Sequence, residues 1–180
     1  MKRGSNMFLI KTGACLIIIF TSSALGFSYS RLYNERLNNL INFQYCIQIL
    51  ETEIIYAANP LPDALMEVYN KGNKKVSYIF NEIRKYLLNN KNSNVYDGFL
   101  HIATELKEGL CFKKQDIEII LSFGRSLGLS NRMDQEKYFK VLQVQLKGQQ
   151  REAEEEKMKN GKMFKSLGVL IGFGIVLALY

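Results

Sequence analysis

The sequence predicts an all-α protein, a helical bundle domain flanked by an N-terminal and a C-terminal transmembrane helix. Three observations predict it. No charged residue occurs from Thr12 to Ser30, and none from Ser166 to Tyr180. Between those blocks apolar residues recur at steps of three and four, the period of a helix with one buried face. No segment alternates apolar and polar residues as a half-buried strand would.

The first apolar block, centred on "ACLIIIFTSSALGF", approaches the ~20 residues a helix needs to cross ~30 Å of hydrocarbon. The second, "SLGVLIGFGIVLALY", covers ~22 Å at ~1.5 Å per residue. Adding Met163 and Phe164, with Lys165 reaching outward, gives ~27 Å, enough with modest bilayer thinning. Ser22 and Gly26 form a small-xxx-small face, and Gly168 and Gly172 a GxxxG face. Such faces let membrane helices approach closely, although glycine is also simply common in membrane helices.

The first block has a rival reading as a cleaved signal peptide, with Lys2 and Arg3 before it and Ser22, Ser23 and Ala24 near its end. Charge beside the second block argues against export. Lys157, Lys159, Lys162 and Lys165 precede that block and nothing basic follows it. The positive-inside rule then places the central domain in the cytoplasm. Lys2, Arg3 and Lys11 before the first block oppose Arg31 and Arg36 after it, so that end votes the other way. The complete asymmetry of the second block decides. The expected boundaries are a membrane segment over 1–30, a helical cytoplasmic domain over 31–160 and a membrane segment over 161–180.

A length of 180 residues favours one domain rather than two. The net charge of +7 lies largely beside the apolar blocks, which suits anionic lipid headgroups better than nucleic acid. No basic stripe interleaved with aromatics occurs in the middle. Cys15 lies in the first block, and Cys46 and Cys111 have neither disulfide-framework nor metal spacing. Free thiols in a reducing compartment are the plain reading.

The middle divides into helices in order. Phe43, Ile47, Leu50, Ile54 and Ala57 form one face of a long helix continuing from the first block through "SRLYNERLNNL". It stops at "ANPLPDAL", where Asn59 can cap a new helix with Pro60 at its first position. That helix carries Leu65, Met66 and Tyr69, and "NKGNKK" ends it. Val76, Ile79, Phe80, Ile83 and Leu87 make a third run, closed by "NNKNSN". Tyr96, Phe99, Ala103 and Leu106 make a fourth, ended by Gly109. Ile117, Ile120 and Leu121 make a fifth. The last passes through Tyr138, Leu142 and Leu146 into the charged "QQREAEEEKMKNGK", expected as a solvated face with i,i+4 pairs and a rigid stalk.

The corner between the fifth and last runs is "LSFGRSLGLSNRMDQ". Gly128 suits the left-handed residue that ends a helix, and Ser130 or Asn131 can cap the next, Asn131 with Asp134 imitating a capping box. Gly124 inside the helix costs ~1 kcal/mol against Ala, which suggests another backbone close by. Arg125 and Arg132 flank the corner and suit a carboxylate in the same domain or on a partner.

Catalytic chemistry has little to stand on. His101 is the only histidine, without a second His for a metal or a nearby nucleophile. Glu51 and Glu53, two apart on a helix, point to different faces. Asp63 and Glu67 share one, but two carboxylates alone are a weak signal. Gly124 and Gly128 lack the Lys-Ser/Thr and preceding strand of a phosphate loop. The expectation is a protein that is not an enzyme and takes no metal or cofactor.

Taken together, "LETEIIYAANPLPDAL", "LSFGRSLGLSNRMDQ" and "KSLGVLIGFGIVL" behind an N-terminal apolar segment resemble the stage III sporulation protein AB family of spore-forming Firmicutes. The resemblance covers nearly the whole chain. It departs where the family reads Ser-Asp-Arg followed by an acidic residue, since Ser130, Asn131, Arg132 and Met133 stand here. Asn59 replaces a threonine before the first proline. The resemblance implies a membrane-anchored adaptor in the channel-like, secretion-related complex built between mother cell and forespore. Its soluble region is similar to the helical cytoplasmic domain of the F-type platform protein of type II secretion and type IV pili. The implied partners are a cytosolic ATPase, stage III sporulation protein AA, the other subunits of the complex, and the mother-cell membrane facing the forespore, with no nucleic acid and no small-molecule substrate. The two internal motifs then nominate Glu51, Glu53, Pro60, Pro62, Arg125, Gly128, Arg132, Asp134 and Gln135 as partner-binding residues. Two rivals are an exported, membrane-tethered binding domain and a membrane enzyme using Asp63, Glu67 and His101.

Overall fold

The computed structural model describes the backbone at residues 2–90, 92–127 and 132–179, and side chains there except at 2–12, 132, 133, 165 and 179. Among the described residues there is no strand, as the three- and four-residue steps predict. Helix α1, Lys2–Glu51, runs into a π-helical turn at Thr52–Tyr56. There follow α2 (Leu61–Lys71), α3 (Lys74–Asn89), α4 (Val95–His101), α5 (Ala103–Glu108), α6 (Lys114–Leu127) and α7 (Arg132–Glu156). A second π-helical turn, Lys157–Gly161, leads into α8, Lys162–Leu179. The chain forms two compact units, one of Met1–Asn34 with Glu154–Tyr180, the other of Glu35–Ala153.

In the first unit the start of α1 and α8 lie side by side. Ile19 meets Gly172, Ser22 meets Gly168, and Gly26 meets Phe164 and Gly168. One set of numbers rises while the other falls, so the helices are antiparallel. A Cβ on Gly26 would sit 2.6 Å from the Phe164 carbonyl oxygen, and one on Gly168 2.9 Å from that of Ser22. Ser22 Oγ donates to the Gly168 carbonyl at 2.6 Å. Both small-residue faces read from the sequence are thus the contact. Two helices here are long and apolar enough to cross a membrane, and only 11% and 18% of their most apolar windows are buried, unlike core helices of a soluble bundle.

In the second unit Leu40, Phe43, Ile47 and Leu50 of α1 are fully buried. Past Leu50 the expected face fails. Ile55 is buried, Ile54 only half so, and Ala57 is exposed. The π-helical turn closes i→i+5 rather than i→i+4, so the residue after Leu50 on the inner face is five along, not four. Helix α2 also starts one residue later than expected. Pro60 is its N-cap, accepting the N–H groups of Asp63 (3.0 Å) and Ala64 (2.9 Å), and Asn59 makes no cap. Pro62, at the helix's second position, lacks an N–H that would have no partner there anyway.

Helix α3 is capped by Asn73, which accepts the Lys75 N–H at 2.9 Å, and buries Val76, Ile79, Phe80 and Ile83 as expected. The fourth run is two helices, broken at Ile102, with a capping box between Asn94 and Asp97 at its start. Phe99, Ile102 and Leu106 are buried from it. On α7 the inner face is Phe139, Leu142, Leu146 and Ala153. Tyr138, expected inside, is 41% exposed, because a step of three from Phe139 to Leu142 fits the face better than a step of four from Tyr138. Phe99 and Phe139 both meet Phe123 edge-on, at 6.0 and 5.0 Å, a favoured aromatic geometry. Gly124 makes room not for a backbone, as expected, but for the Phe99 ring, 2.8 Å from where its Cβ would stand.

Under this core lies a buried ion pair. Arg36 of α1 and Asp116 of α6 are 3% and 0% exposed. Arg36 Nε donates to Asp116 Oδ2 at 2.9 Å and Nη2 to Oδ1 at 3.0 Å, a bidentate fork. Nη2 also donates to Gln149 Oε1 at 3.1 Å, and Nη1 lies 3.6 Å from Glu152 of α7. Asp116 Oδ2 accepts the Lys113 N–H at 2.8 Å, closing the start of α6. Nearby, Asn39 Nδ2 donates to the Leu110 carbonyl at 2.9 Å. Glu152, read as part of a solvated stalk, therefore reaches across to Arg36 and to Lys113 Nζ at 3.5 Å.

Removing one partner of such a pair strands the other charge in a low-dielectric site, at a cost of about 3–5 kcal/mol. Asp116→Asn in the full chain should lose about 3 kcal/mol in denaturant unfolding, whereas Glu118→Gln on the exposed side of the same helix should stay within about 0.5 kcal/mol. Equal effects of the two changes would contradict this role for the pair.

Candidate functional site

The nominated residues fall in two places. The first surrounds the π-helical turn after α1. Glu53 faces inward, 7% exposed. Its carboxylate accepts from Lys71 Nζ and Asn59 Nδ2, each at 2.7 Å, while the Asn59 N–H bonds the Glu53 carbonyl at 2.9 Å. Lys71 also reaches Glu67 at 2.9 Å. Lys71, with Asn59, holds the Glu53 carboxyl below its ordinary value, and Glu53 raises Lys71. Ala58 takes a left-handed φ of 55°, costing ~1–2 kcal/mol for a residue with a Cβ. Glu53, Asn59 and Lys71 therefore tie the end of α1 to α2, while Pro60 and Pro62 set where α2 begins.

Glu51 lies on another face, as two-residue spacing predicts. It accepts a short hydrogen bond from Gln143 of α7. Burial pushes its carboxyl up, reinforced by Glu136 and opposed by Lys140 and Gln143. Two acids of one motif are thus tuned in opposite directions.

The second place is the α6–α7 corner. Arg125 is exposed. Its guanidinium lies over the Tyr96 ring, 4.6 Å from the centroid, and Nη2 donates to Tyr96 Oη at 3.1 Å. The sequence suggested a carboxylate for Arg125, and here it meets an aromatic ring instead. Beside them opens a groove of about 360 Å³ lined by Leu87, Asn94, Val95, Tyr96, Gly124 and Arg125. Gln135 Nε2 donates to the Leu127 carbonyl at 3.1 Å, joining the first turn of α7 to the last of α6. Asp134 Oδ1 pairs with Lys137 at 3.4 Å. Gly128, Ser130 and Asn131 lie outside the described residues, as does the side chain of Arg132.

Sequence reasoning missed Tyr96 as the partner of Arg125, Lys71 as that of Glu53, and the Arg36–Asp116 pair altogether. These join positions 29, 18 and 80 residues apart, and helical periodicity carries no signal over such separations. The residues of the enzyme reading are dispersed in their bonding. Glu67 is paired with Lys71, Asp63 is exposed, and His101 stacks on Tyr86 at 4.7 Å. Among the described residues no group of three His, Cys, Asp or Glu is placed to hold a metal. Cys46 is fully buried, its thiol pushed up to about 12 by burial, and burial raises Cys111 as well. Neither is poised as a thiolate nucleophile.

Residues 11–180 match the family model of stage III sporulation protein AB. The chain is 28% identical over 171 residues to stage III sporulation protein AB of Bacillus subtilis (strain 168), spanning 95% of this chain and 99% of the relative. A solved structure of stage III sporulation protein AB is similar with a TM-score of 0.62 and 24% identity, over 68% of this chain and 96% of that chain. That likeness shows the fold.

The opposed tuning of Glu51 and Glu53 gives a pH signature. A lowered folded value means Glu53 contributes stability above the ordinary carboxylate range, lost as pH falls through its folded value. A raised folded value means Glu51 contributes most under acid conditions and loses that contribution as pH rises through its folded value. In unfolding of the full chain at neutral pH, Glu53→Gln should destabilise, and its stability should fall less on acidification than that of the wild type. Glu51→Gln should be neutral or stabilising at neutral pH. Destabilisation by both, with the same pH dependence, would contradict the assignment.

Proposed function

The chain belongs to the stage III sporulation protein AB family, and we propose that it is a membrane-anchored, non-catalytic platform subunit of a sporulation complex. In this reading it holds a cytosolic ATPase, stage III sporulation protein AA, at the mother-cell membrane facing the forespore. The observation that carries it is the antiparallel packing of two membrane-length apolar helices at Ser22, Gly26 and Gly168. Residues 35–153 are the stretch between those two spans. A stretch joining antiparallel spans enters and leaves the bilayer on one side.

Lys157, Lys159, Lys162 and Lys165 stand at that side of α8, and the positive-inside rule makes it the cytoplasmic side. Cys46 and Cys111 are not poised as thiolates, and Glu53, Glu67 and Asp116 are held in ion pairs, which supports a role without catalysis. For the partner, the exposed Arg125 and the half-buried Tyr96 beside an apolar groove supply the combination that dominates many protein interfaces, an arginine and an aromatic ring around a pocket. Of the nominated residues, Arg125, Gly128, Arg132, Asp134 and Gln135 define this corner as the ATPase-facing surface. Glu51, Glu53, Pro60 and Pro62 then serve it indirectly by fixing α1, α2 and α7.

Two measurements test the proposal. Cys46 is buried and cannot report topology, so Lys147→Cys, an exposed site, is placed in a chain with Cys15, Cys46 and Cys111 changed to Ala. A membrane-impermeant maleimide should label it only after cells are permeabilised; labelling of intact cells would favour the exported, membrane-tethered reading instead. Separately, capture of the cognate ATPase by the full chain in detergent should weaken roughly tenfold with Arg125→Glu, a change of ~1.4 kcal/mol, and by less than about twofold with Lys114→Glu. Undiminished capture by the Arg125 variant would remove the corner from the interface.

A further inference from the structure

The second π-helical turn stands where polar chain gives way to the apolar span, and neither the fold nor the platform role explains it. Its immediate effect is geometric. Lys157 and Lys162 are five residues apart, which in an α-helix separates two side chains by about 140° around the axis. A turn closing i→i+5 instead brings such residues towards one side. The turn spans Lys157–Gly161, with the Lys162 N–H bonded to the Lys159 carbonyl, and both lysines line one cavity of about 490 Å³.

The opposite wall comes from α1. Ser30 closes the uncharged stretch of that helix and Arg31 follows it. Gly161 is buried, and a Cβ there would stand 3.3 Å from Ser30 Oγ, so the missing side chain lets the two helices close on the cavity. Arg31, Lys157 and Lys162 give three cations, Ser30 and Asn34 add hydrogen-bonding groups, and among the described residues no acidic one lines the wall. Phe27 and Met158 supply the apolar side, and each is more than half exposed.

We propose that this cavity binds the phosphate headgroup of an anionic phospholipid, the acyl chains running over Phe27 and Met158. This rests on the membrane-anchored reading above. Three observations favour a lipid over a soluble anion: the cations stand at the end of the hydrocarbon-length helices, apolar residues share the wall, and the cavity opens from a helix pair whose other faces are greasy. Phosphate recognition by grouped Lys and Arg with hydroxyl and amide donors follows ordinary charge-assisted hydrogen bonding.

The test uses the full chain reconstituted in phosphatidylcholine nanodiscs carrying a trace of spin-labelled phosphatidylglycerol or spin-labelled phosphatidylcholine. The motionally restricted fraction of each label measures association with the protein. Phosphatidylglycerol should be favoured at least about fivefold, the effect of one cation at a charged surface. The combination Arg31→Gln, Lys157→Gln and Lys162→Gln should abolish the preference, Lys157→Gln alone should reduce it, and Lys107→Gln with Lys114→Gln and Lys147→Gln should leave it intact. Equal association of both lipids with the wild type, or a preference surviving in the triple and single variants, would overturn the proposal. Loss of the preference in excess inorganic phosphate would reassign the cavity to a soluble anion. Failure of the chain to enter nanodiscs at all would overturn the membrane reading first, and is distinguished by the absence of any restricted lipid signal.

Discussion

The approach of two backbones at Gly26 and Gly168 is the constraint on which the functional account depends. The Cα of each lies 3.0 Å from where a Cβ on the other would stand, and the closest atom to a Cβ on Gly26 is a main-chain oxygen. Main-chain atoms cannot swing aside as a side chain can, so any larger residue would have to separate the helices. Membrane helices associate without the hydrophobic drive available in water, through close packing and a few hydrogen bonds. The Ser22 hydroxyl supplies one of these bonds at 2.6 Å. With this contact go the antiparallel order of the two apolar helices and the meeting of Arg31, Lys157 and Lys162 around one cavity.

The unit of Glu35–Ala153 is organised by a different principle. Its apolar core follows ordinary helical faces, but helices of similar greasiness can slide or rotate against one another. Arg36 and Asp116 tie α1 to α6 by a bidentate pair, with additional bonds to Gln149 of α7 and the Lys113 N–H. Buried pairs of this kind often add little net stability, since desolvation offsets the attraction. Here the pair joins α1 to α6 and, through Gln149, to α7. The Glu53–Lys71 and Glu53–Asn59 bonds do the same for the π-helical turn and α2.

Much of this was legible in the sequence where local rules govern. The helix faces at Phe43, Ile47 and Leu50, and at Val76, Ile79, Phe80 and Ile83, follow from period alone. The small-residue faces of the two apolar helices were visible because a close approach of two helix backbones requires residues with little or no side chain. The reading failed where a residue is inserted into the helical count. The turn at Thr52–Tyr56 moved burial from Ile54 to Ile55 and turned Glu53 inward, and no propensity marks such a turn in advance. It failed again at Tyr138 and Phe139, neighbours of similar size separated only by tertiary fit. In the candidate site the position of Arg125 was legible from the corner motif, but its partner Tyr96, 29 residues away, was not.

The most direct test concerns the helix pair itself. The Cβ position at Gly172 lies 3.4 Å from Ser22 Cβ, close to the ~3.5–4.5 Å that a disulfide requires. A chain with Cys15, Cys46 and Cys111 changed to Ala, and carrying Ser22→Cys with Gly172→Cys, should form an intramolecular disulfide rapidly on mild oxidation in native membranes. Leu25→Cys with Gly172→Cys, which starts from a 64% exposed outward position, should not. Absence of the first cross-link, or its appearance only between two chains, would contradict the antiparallel hairpin and the one-sided topology built on it.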